Sequence, residues 1–259
     1  MKNIMDKRLT FNEEVENYEK WRPTYCDELF KDIIEYSHIE QGKKAIEIGI
    51  GTGQATRPFL ETGCELTAIE LGKDLAEYSK LKFLDYKNFT VCNTAFEDFE
   101  CPNGSIDIIY SATAFHWIPE QIGYPKVSKL LKTGGTLALL WNRPFVSREN
   151  DELHLNIQRI YQKYIPSNSQ IMEYDTERYE GRKKTIQAYG FREIVFKLYH
   201  LTRTFSSSDY IALLNTYSDH RTMPSTTKVL FENEIKEAIL RFGDVLYVYD
   251  TIDLYLAKK

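Results

Sequence analysis

Three glycines within five residues form the clearest chemical signal in the chain. Gly49, Gly51 and Gly53 follow the short β-branched run 43–48, which is typical of a strand. Glycine has no Cβ and tolerates positive φ, so the backbone of such a turn can approach a ligand closely. The helix expected next offers unpaired N–H groups and the positive end of its dipole. The segment is therefore predicted to hold a carboxylate or phosphate of a ligand.

Two glutamates narrow the choice of ligand. Glu70 lies 21 positions after Gly49, at the end of the next predicted strand, where a carboxylate can accept hydrogen bonds from ribose hydroxyls. Glu47 precedes the turn, and its carboxylate would repel a pyrophosphate but attract an ammonium and a sulfonium. A dinucleotide fingerprint also needs a glycine at the sixth position, where Gln54 stands. These residues favour S-adenosylmethionine (SAM) over NAD.

The stretch 45–54 resembles the E-x-G-x-G-x-G motif of the class I SAM-dependent methyltransferases. The resemblance continues along the Rossmann-like part of the chain, through Glu70 and the segments 93–96, 105–110 and 131–137. Two short segments, 18–25 and 114–118, resemble more narrowly the small-molecule branch that includes the trans-aconitate methyltransferases.

The resemblance implies a set of cofactor-binding residues. These are Glu47, Gly49, Gly51, Thr52, Gly53, Gln54, Glu70, Leu71, Thr94, Ala95, Phe96, Ser111 and Ala112. The glycines and Glu47 would line the methionine part of SAM, Glu70 would hold the ribose, and the segment 94–96 would meet the adenine. Ser111 and Ala112 would flank the transferring methyl group. The family often has an aspartate in place of Thr94, so we expect the adenine contact here to use the backbone or a hydroxyl.

A second set of residues is expected at the methyl acceptor, which the sequence does not identify. The set is Tyr18, Trp21, Arg22, His116, Trp117 and Arg143. Trp117 with Tyr18 or Trp21 could wall off the site and face the sulfonium, although core packing is the favoured role for Trp21. The arginines could bind an acidic substrate through their planar guanidinium groups, and Arg143, just after the fifth predicted strand, is the best placed.

His116 is the candidate catalytic residue. A carboxylate, or any acceptor that is already ionised, needs no base for methyl transfer, whereas a hydroxyl or a protonated amine does. His116 has an ordinary pKa close to working pH, so it is the residue expected to act as the general base if one is needed.

Strand and helix patterns alternate over residues 43–141 and predict a parallel sheet covered on both faces. Period-two patterns predict two later strands, 194–201 and 246–256, which pair at the sheet edge. The predicted fold class is α/β, a Rossmann-like, doubly wound, mostly parallel sheet with an antiparallel last strand. We expect one domain: a helical N-terminal lid (1–40), the SAM-binding core (41–145), and its completion (146–259) with a helical insertion at about 200–242.

Three local expectations accompany this fold. The polar, aperiodic stretch 166–181 is expected to be a loop or a mobile cap segment. The segment Gly123 to Pro125 is expected to interrupt the helix before Leu130 and to reshape the mouth of the site. Leu75, Tyr78, Leu81 and Lys82 are expected on one side of a helix over 73–84.

Composition excludes several classes of partner. The net charge of −5 argues against nucleic acid, because phosphate contacts require a basic surface. No signal peptide or membrane-spanning run is evident, so a soluble, cytoplasmic protein without a membrane partner is expected. The four cysteines form no C-x-x-C pair and have no histidine at a metal-ligand spacing, which predicts reduced thiols and no metal site.

Aromatic residues are unusually frequent, with 18 Tyr, 14 Phe and 3 Trp. Many of them fall in segments expected at the strand ends, the lid and the insertion. These are Tyr18, Trp21, Tyr25, Phe115, Trp117, Trp141, Tyr161, Tyr164, Tyr174, Tyr179, Tyr210 and Tyr217. We expect a sizeable share of these rings to line one cavity over the methyl group, which would imply a partly apolar or planar acceptor.

The sequence thus predicts an enzyme that transfers a methyl group from SAM, in line, to a small molecule such as a carboxylic acid or another O-acceptor. Two alternatives stay open: a non-catalytic module that binds SAM or S-adenosylhomocysteine, and a NAD-dependent oxidoreductase. A nucleic-acid methyltransferase would usually carry an Asn/Asp-Pro-Pro-aromatic tetrapeptide after the fourth strand, where the sequence has 111–114, Ser-Ala-Thr-Ala.

Overall fold

A computed structural model describes residues 19–145, 152–165 and 175–259. Within these residues seven strands form one sheet in the order β3-β2-β1-β4-β5-β7-β6. The strands are β1 (Lys44–Ile48), β2 (Glu65–Glu70), β3 (Phe89–Asn93), β4 (Ile106–Ala112), β5 (Leu131–Phe145), β6 (Arg192–Phe205) and β7 (Leu246–Lys258).

Helices connect the strands and cover both faces of the sheet. They are α1 (Asp27–Ser37), α2 (Arg57–Glu61), α3 (Lys73–Lys82), α4 (Glu120–Leu130), α5 (Glu152–Tyr164), α6 (Thr176–Ala188), α7 (Ser207–Leu214), α8 (Ser218–Arg221) and α9 (Ser225–Arg241), with a 3₁₀ turn at Phe115–Trp117. No helix in the described part of the chain is long and apolar enough to cross a membrane.

The predicted fold class is confirmed. Strands β1 to β5 pair in parallel, and β7 runs antiparallel to both β5 and β6. The two late strands pair with each other as expected, with β6 at the edge of the sheet. Helices α7, α8 and α9 occupy the connection between these two strands, and we call the segment 206–245 the insertion.

Three apolar clusters form the core. One lies on each face of the sheet, with Tyr110 and Leu140 on one side and Ile109 and Trp141 on the other, because neighbouring residues of a strand point to opposite faces. The third joins the insertion to helix α5 around Phe231. A strand buried on both faces needs continuous apolar residues, which explains the unbroken apolar run at the centre of β5.

Two local expectations were wrong for the same reason, because side-chain packing outweighs the local pattern. Residues 176–181 begin helix α6, which Asp175 caps by accepting from the Arg178 N–H (2.9 Å), while Tyr179 is buried. Residues 166–174 lie outside the described residues. Helix α4 runs through Gly123 and Pro125 without interruption, since Tyr124 and Val127 are fully buried against the sheet.

The inner face of helix α3 also differs from the expectation. Leu75 is buried as predicted, together with Ala76 and Ser79, but Leu81 is 71% exposed. The buried Ser79 hydroxyl donates to the Gly51 carbonyl (2.6 Å), so this helix supports the glycine turn through a polar contact that an apolar pattern does not show.

Candidate functional site

A cavity of about 310 Å³ lies at the carboxyl ends of the parallel strands. Its lining follows the sheet from the ends of β2 and β3, past β1 and β4, to the end of β5. Ligands of open α/β sheets bind at this position. We call the part around Glu47, Gly49, Glu70 and Phe96 the glycine-loop end. The part around Arg22, Tyr25, Asn142, Tyr217 and Asp219 we call the cap end.

The glycine turn adopts a conformation that requires glycine. Gly49, Gly51 and Gly53 all have positive φ, at 73°, 58° and 83°. A Cβ on Gly49 would lie 2.4 Å from the Ala114 Cβ, and one on Gly53 would lie 2.4 Å from the Phe83 ring. Without a side chain, Gly49 packs closely on Ala114 after β4, and the backbone at the end of β1 stays open to the cavity.

Glu70, at the end of β2, stabilises this turn through hydrogen bonds. Its Oε2 accepts from the Gly51 N–H (2.9 Å) and its Oε1 from the Gly72 N–H (2.8 Å). Burial raises the pKa of Glu70, and the backbone donors partly offset that effect. The carboxylate lines the cavity between two turns, where a vicinal diol could approach it.

Glu47 is a buried carboxyl group in the cavity wall. Burial raises its pKa to about 7, while the Thr56 and Tyr110 hydroxyls lower it. Both hydroxyls donate to Oε2, at 2.7 and 2.9 Å. A cationic group entering the cavity beside Glu47 would stabilise its ionised form.

The remaining predicted cofactor residues fall into two groups. Gln54, Leu71, Thr94, Ala95, Phe96 and Ala112 line the cavity together with the residues above. Thr52, Gly53 and Ser111 do not line the cavity. Thr52 and Ser111 are fully buried next to the lining residues, and the Ser111 hydroxyl donates to the Ile48 carbonyl (2.9 Å). These three residues therefore support the wall from behind.

The end of β4 carries a strained residue that sequence reasoning did not select. Thr113 has a φ of 56°, which is uncommon for a β-branched side chain. Its hydroxyl accepts from the Asn142 N–H (3.2 Å) and pairs with the Tyr25 hydroxyl (3.1 Å). All three residues line the cavity. The N-terminal segment is thereby tied to the ends of β4 and β5.

His116 lies in the 3₁₀ turn after β4 and lines the cavity. The Trp141 indole N–H donates to its Nδ1 (3.1 Å), and the ring of Trp117 packs obliquely beside it. Although His116 is an exposed residue of the cavity wall, the surrounding protein desolvates its ring and lowers its pKa to about 4, with further lowering by the positive charges of Arg182 and Arg143. The ring is therefore neutral at physiological pH.

Arg22 and the insertion meet at the cap end. The Arg22 guanidinium donates to the Thr216 carbonyl (2.6 Å) and lies 4.5 Å from the centre of the Tyr217 ring. Tyr217 and Asp219 come from the insertion, nearly 200 positions away in sequence. Tyr217 is one of the aromatic residues expected over the methyl group, whereas no local pattern marks Asp219 as a site residue. Among the lining residues that the structure describes, Arg22 is the single arginine or lysine.

The structure places two predicted acceptor residues away from the cavity lining. Arg143 forms a two-bond ion pair with the fully buried Asp253 (3.1 and 3.2 Å). Trp21 packs beside Phe205 at 6.0 Å in the third apolar cluster, as its favoured core role predicts. Trp117 does line the cavity, and Tyr18 lies outside the described residues.

Known proteins resemble the chain in both sequence and fold. Residues 46–139 match the family profile described as a methyltransferase domain. An uncharacterized methyltransferase of Schizosaccharomyces pombe is 23% identical over 237 residues, covering 89% of this chain and 87% of the relative. A structure from Anaeromyxobacter dehalogenans, provisionally assigned as a type II methyltransferase, superposes with a TM-score of 0.62 at 17% identity, covering 92% and 97% of the two chains.

Phosphoethanolamine N-methyltransferase 2 of Haemonchus contortus shares the fold as well. Its complex with phosphomonomethylethanolamine and S-adenosylhomocysteine gives a TM-score of 0.55 at 13% identity. The match covers 95% of this chain and 56% of that chain. At such low identity these structures support the fold.

Proposed function

We propose that this chain is a SAM-dependent methyltransferase and that it transfers the methyl group of SAM to an oxygen atom of a small molecule, with carboxylic acids as the first class to test. One observation carries the proposal. The cavity is continuous from the expected cofactor residues at the glycine-loop end to a cap end built from the N-terminal segment and the insertion. Both ligands can therefore meet within a single small-molecule site.

The residues at the glycine-loop end fit SAM. Glu47 would bind the ammonium group, because both of its hydrogen bonds use Oε2 and a cation would favour its ionised form. Glu70 would hold the ribose hydroxyls, and Phe96 with Thr94 would border the adenine. Gly49 lets the turn pack closely on Ala114, since a Cβ there would lie 2.4 Å from the Ala114 Cβ, and the backbone of this turn would border the methionine part.

SAM supplies an electrophilic methyl group on a sulfonium, and the reaction is an in-line displacement at that carbon. The protein contributes chiefly by holding the acceptor atom in line at near-contact distance. Thr113, Tyr25 and His116 border the end of β4, where we propose that the acceptor lies. Trp117 beside them would exclude water and face the positive charge.

The proposed acceptor class depends on the cap end. The two segments that resemble the trans-aconitate methyltransferase branch, 18–25 and 114–118, supply Arg22, Tyr25, His116 and Trp117 to the lining. Arg22 offers a guanidinium that suits a carboxylate. Asp219 carries the opposite charge and would instead suit an amine. We favour the acid because Arg22 is packed on Tyr217, whereas Asp219 is exposed.

A substrate panel tests the proposal. Release of S-adenosylhomocysteine should be measured with small carboxylic acids, phenols and amines. We expect turnover with acids, and a loss of at least about tenfold in kcat/KM for the acid in Arg22→Gln, as for one lost charge-assisted hydrogen bond. Asp219→Asn is the matched control, and it should change kcat/KM for the acid by less than about threefold. Turnover confined to amines, with the greater loss in Asp219→Asn, would overturn the acid assignment.

A cytoplasmic location belongs to the same proposal. All four cysteines are free thiols, which suits a reducing compartment. Cell fractionation with antibody detection would test it, and recovery in an oxidising compartment would contradict it.

A further inference from the structure

His116 has only one ring nitrogen available to a substrate. The indole nitrogen of Trp141 can donate a hydrogen bond but cannot accept one, so the 3.1 Å contact makes Nδ1 of His116 the acceptor. A neutral imidazole carries one proton, which must then lie on Nε2. The ring edge that Trp141 leaves free therefore presents an N–H donor and no lone pair.

The surroundings of Trp141 fix this arrangement. Trp141 is 6% exposed on β5, and the guanidinium of Arg182, from helix α6, stacks 3.7 Å from the centre of its ring. Tyr255 on β7 packs edge-on against the same indole at 5.9 Å. A cation on the π face withdraws electron density from the indole and strengthens its N–H as a donor. Neither the indole nor its donor direction can change without disturbing this packing.

The charges that face His116 act in the same direction. Desolvation is the largest cause of the lowered pKa of His116, and Arg182 from α6 and Arg143 from β5 lower it further, to about 4. Protonation of Nδ1 would also place two donors against each other. The imidazole thus remains neutral through the physiological range, with Nδ1 occupied and Nε2 protonated.

We propose that Trp141 is a positioning residue that holds His116 as a fixed Nε2–H donor, so that His116 binds an oxygen of an already ionised acceptor and does not deprotonate a neutral one. The part concerning the acceptor rests on the proposed function. The methyl carbon leaves sulfur, which keeps the electron pair of the broken C–S bond, and a carboxylate lone pair forms the new O–C bond. No proton is released, so the step needs no base.

Nuclear magnetic resonance of the cofactor-free protein tests the positioning directly. The five histidines can be followed through a pH titration by their ring 15N and 13C shifts, with the His116 signals assigned by their loss in His116→Gln. We expect a single Nε2–H tautomer from pH 5.5 to 8.5. A His116 that titrates between pH 6 and 7, or that carries its proton on Nδ1, would overturn the proposal, whatever the substrate proves to be.

Trp141→Phe removes the N–H donor while keeping a ring beneath Arg182. We expect the single tautomer to be lost, because Nδ1 can then carry the proton, whereas desolvation and the two arginines still keep the pKa of His116 low. Tyr255→Phe is the matched control, because it removes a hydroxyl from a ring that packs on Trp141 but leaves the hydrogen bond between Trp141 and His116 in place. The tautomer and the pKa of His116 should be unchanged in this variant. An unchanged tautomer in a folded Trp141→Phe variant would contradict the role of Trp141. If that variant does not fold, the wild-type titration still decides the question.

Kinetics separate a donor from a base. The side-chain N–H of glutamine can replace Nε2–H but cannot accept a proton, so His116→Gln should keep kcat for an acid within about fivefold, whereas His116→Ala should raise KM about tenfold. A general base would instead make both variants slower by about 10²–10⁴ in kcat. Equal, large losses in kcat would overturn the donor role. Absence of turnover with every acid would refute the proposed function and leave the resonance result standing.

Discussion

Glu47 should make cofactor affinity depend on pH. Burial raises the pKa of its carboxyl group from 4.5 to about 7, so the cofactor-free protein holds a proton there below neutral pH. An ammonium group bound beside it requires the carboxylate, and each pH unit below 7 then costs up to a factor of ten in affinity. We expect SAM to bind up to about 25-fold more weakly at pH 5.5 than at pH 7.5, as measured by calorimetry.

Two variants make this prediction specific. Glu47→Gln should bind SAM weakly at both pH values and lose the pH dependence. Tyr110→Phe removes a donor that lowers the pKa of Glu47, so the midpoint of the affinity curve should shift to higher pH. A pH-independent affinity in the wild type would show that Glu47 is already ionised in the free protein, and the assigned role would fail.

The same shift has a consequence for stability. The folded pKa lies above the unfolded value, so the folded protein binds more protons between pH 4.5 and about 7. Raising the pH through that window therefore lowers the free energy of unfolding of the cofactor-free protein. A ligand that favours the ionised carboxylate offsets this loss.

At the residue scale, motif spacing predicted the residues of the glycine-loop end. The residues that β5 contributes to the cavity were harder to predict, because the sequence does not show which face of the strand they occupy. The Gly49 to Glu70 spacing correctly identified residues that line the cavity, because it reflects a local strand, turn and helix. In the triplet 142–144, near the end of β5, the sequence favoured Arg143, but Asn142 lines the cavity. Neighbouring residues of a strand point to opposite faces, and sequence alone does not show which parity faces the ligand.

A buried ion pair connects the late strands to the cavity. Asp250 on β7 is 1% exposed and accepts from Arg203 of β6 and from the side-chain amide of Asn142 (2.9 Å). Arg203 also donates to the Trp21 carbonyl (3.0 Å), so one carboxylate joins the N-terminal segment, β5 and β6.

Asp250→Asn should destabilise the protein, because it leaves a buried guanidinium without its charge partner. Removing one member of a buried pair costs about 3–5 kcal/mol, which thermal or denaturant unfolding would measure. The control variant is Glu237→Gln. Glu237 pairs with Arg241 on the outer face of α9, and both side chains are more than 60% exposed. The free energy of unfolding of this variant should stay within about 0.5 kcal/mol of the wild type. Similar losses in the two variants would contradict a structural role for Asp250.

At the element scale, strands were easier to predict than helix faces. In β7, Leu246, Val248 and Ile252 are buried, as the alternating pattern of 246–256 indicates, whereas the apolar residues Val229 and Leu230 of α9 are more than half exposed. Helix α9 packs through Phe231, Ile235 and Ile239 against helices α5 and α7. Its inner face is set by those partners, which a single-sequence pattern does not identify.

At the scale of the whole molecule, the aromatic surplus does not mark the acceptor. Of the rings expected over the methyl group, Tyr25, Trp117 and Tyr217 line the cavity, while Phe115, Trp141, Tyr179 and Tyr210 are buried elsewhere. Tyr174 lies outside the described residues. The inference of a partly apolar or planar acceptor therefore fails, and the rings serve mainly to join the insertion and the outer helices to the sheet.

The two ends of the cavity come from different parts of the chain, so the two ligands should protect different segments from hydrogen exchange. S-adenosylhomocysteine alone should slow exchange in 49–56 and 70–75, where Gly51 and Gly72 donate to Glu70. A bound acid should then slow exchange in 207–221, because Tyr217 reaches the cavity and packs on Arg22. Hydrogen exchange with mass spectrometry measures both effects.

Arg22→Met separates these two effects because it keeps the aliphatic stem and removes the guanidinium that joins the N-terminal segment to the Thr216 carbonyl. The cofactor-dependent protection of 49–56 should remain as in the wild type. The acid-dependent protection of 207–221 should disappear, since the cap end then lacks both its anion partner and its link to the insertion. If the acid still protects 207–221 in this variant, the insertion closes over the acceptor without Arg22, and the acceptor must be held by the other residues of the cap end.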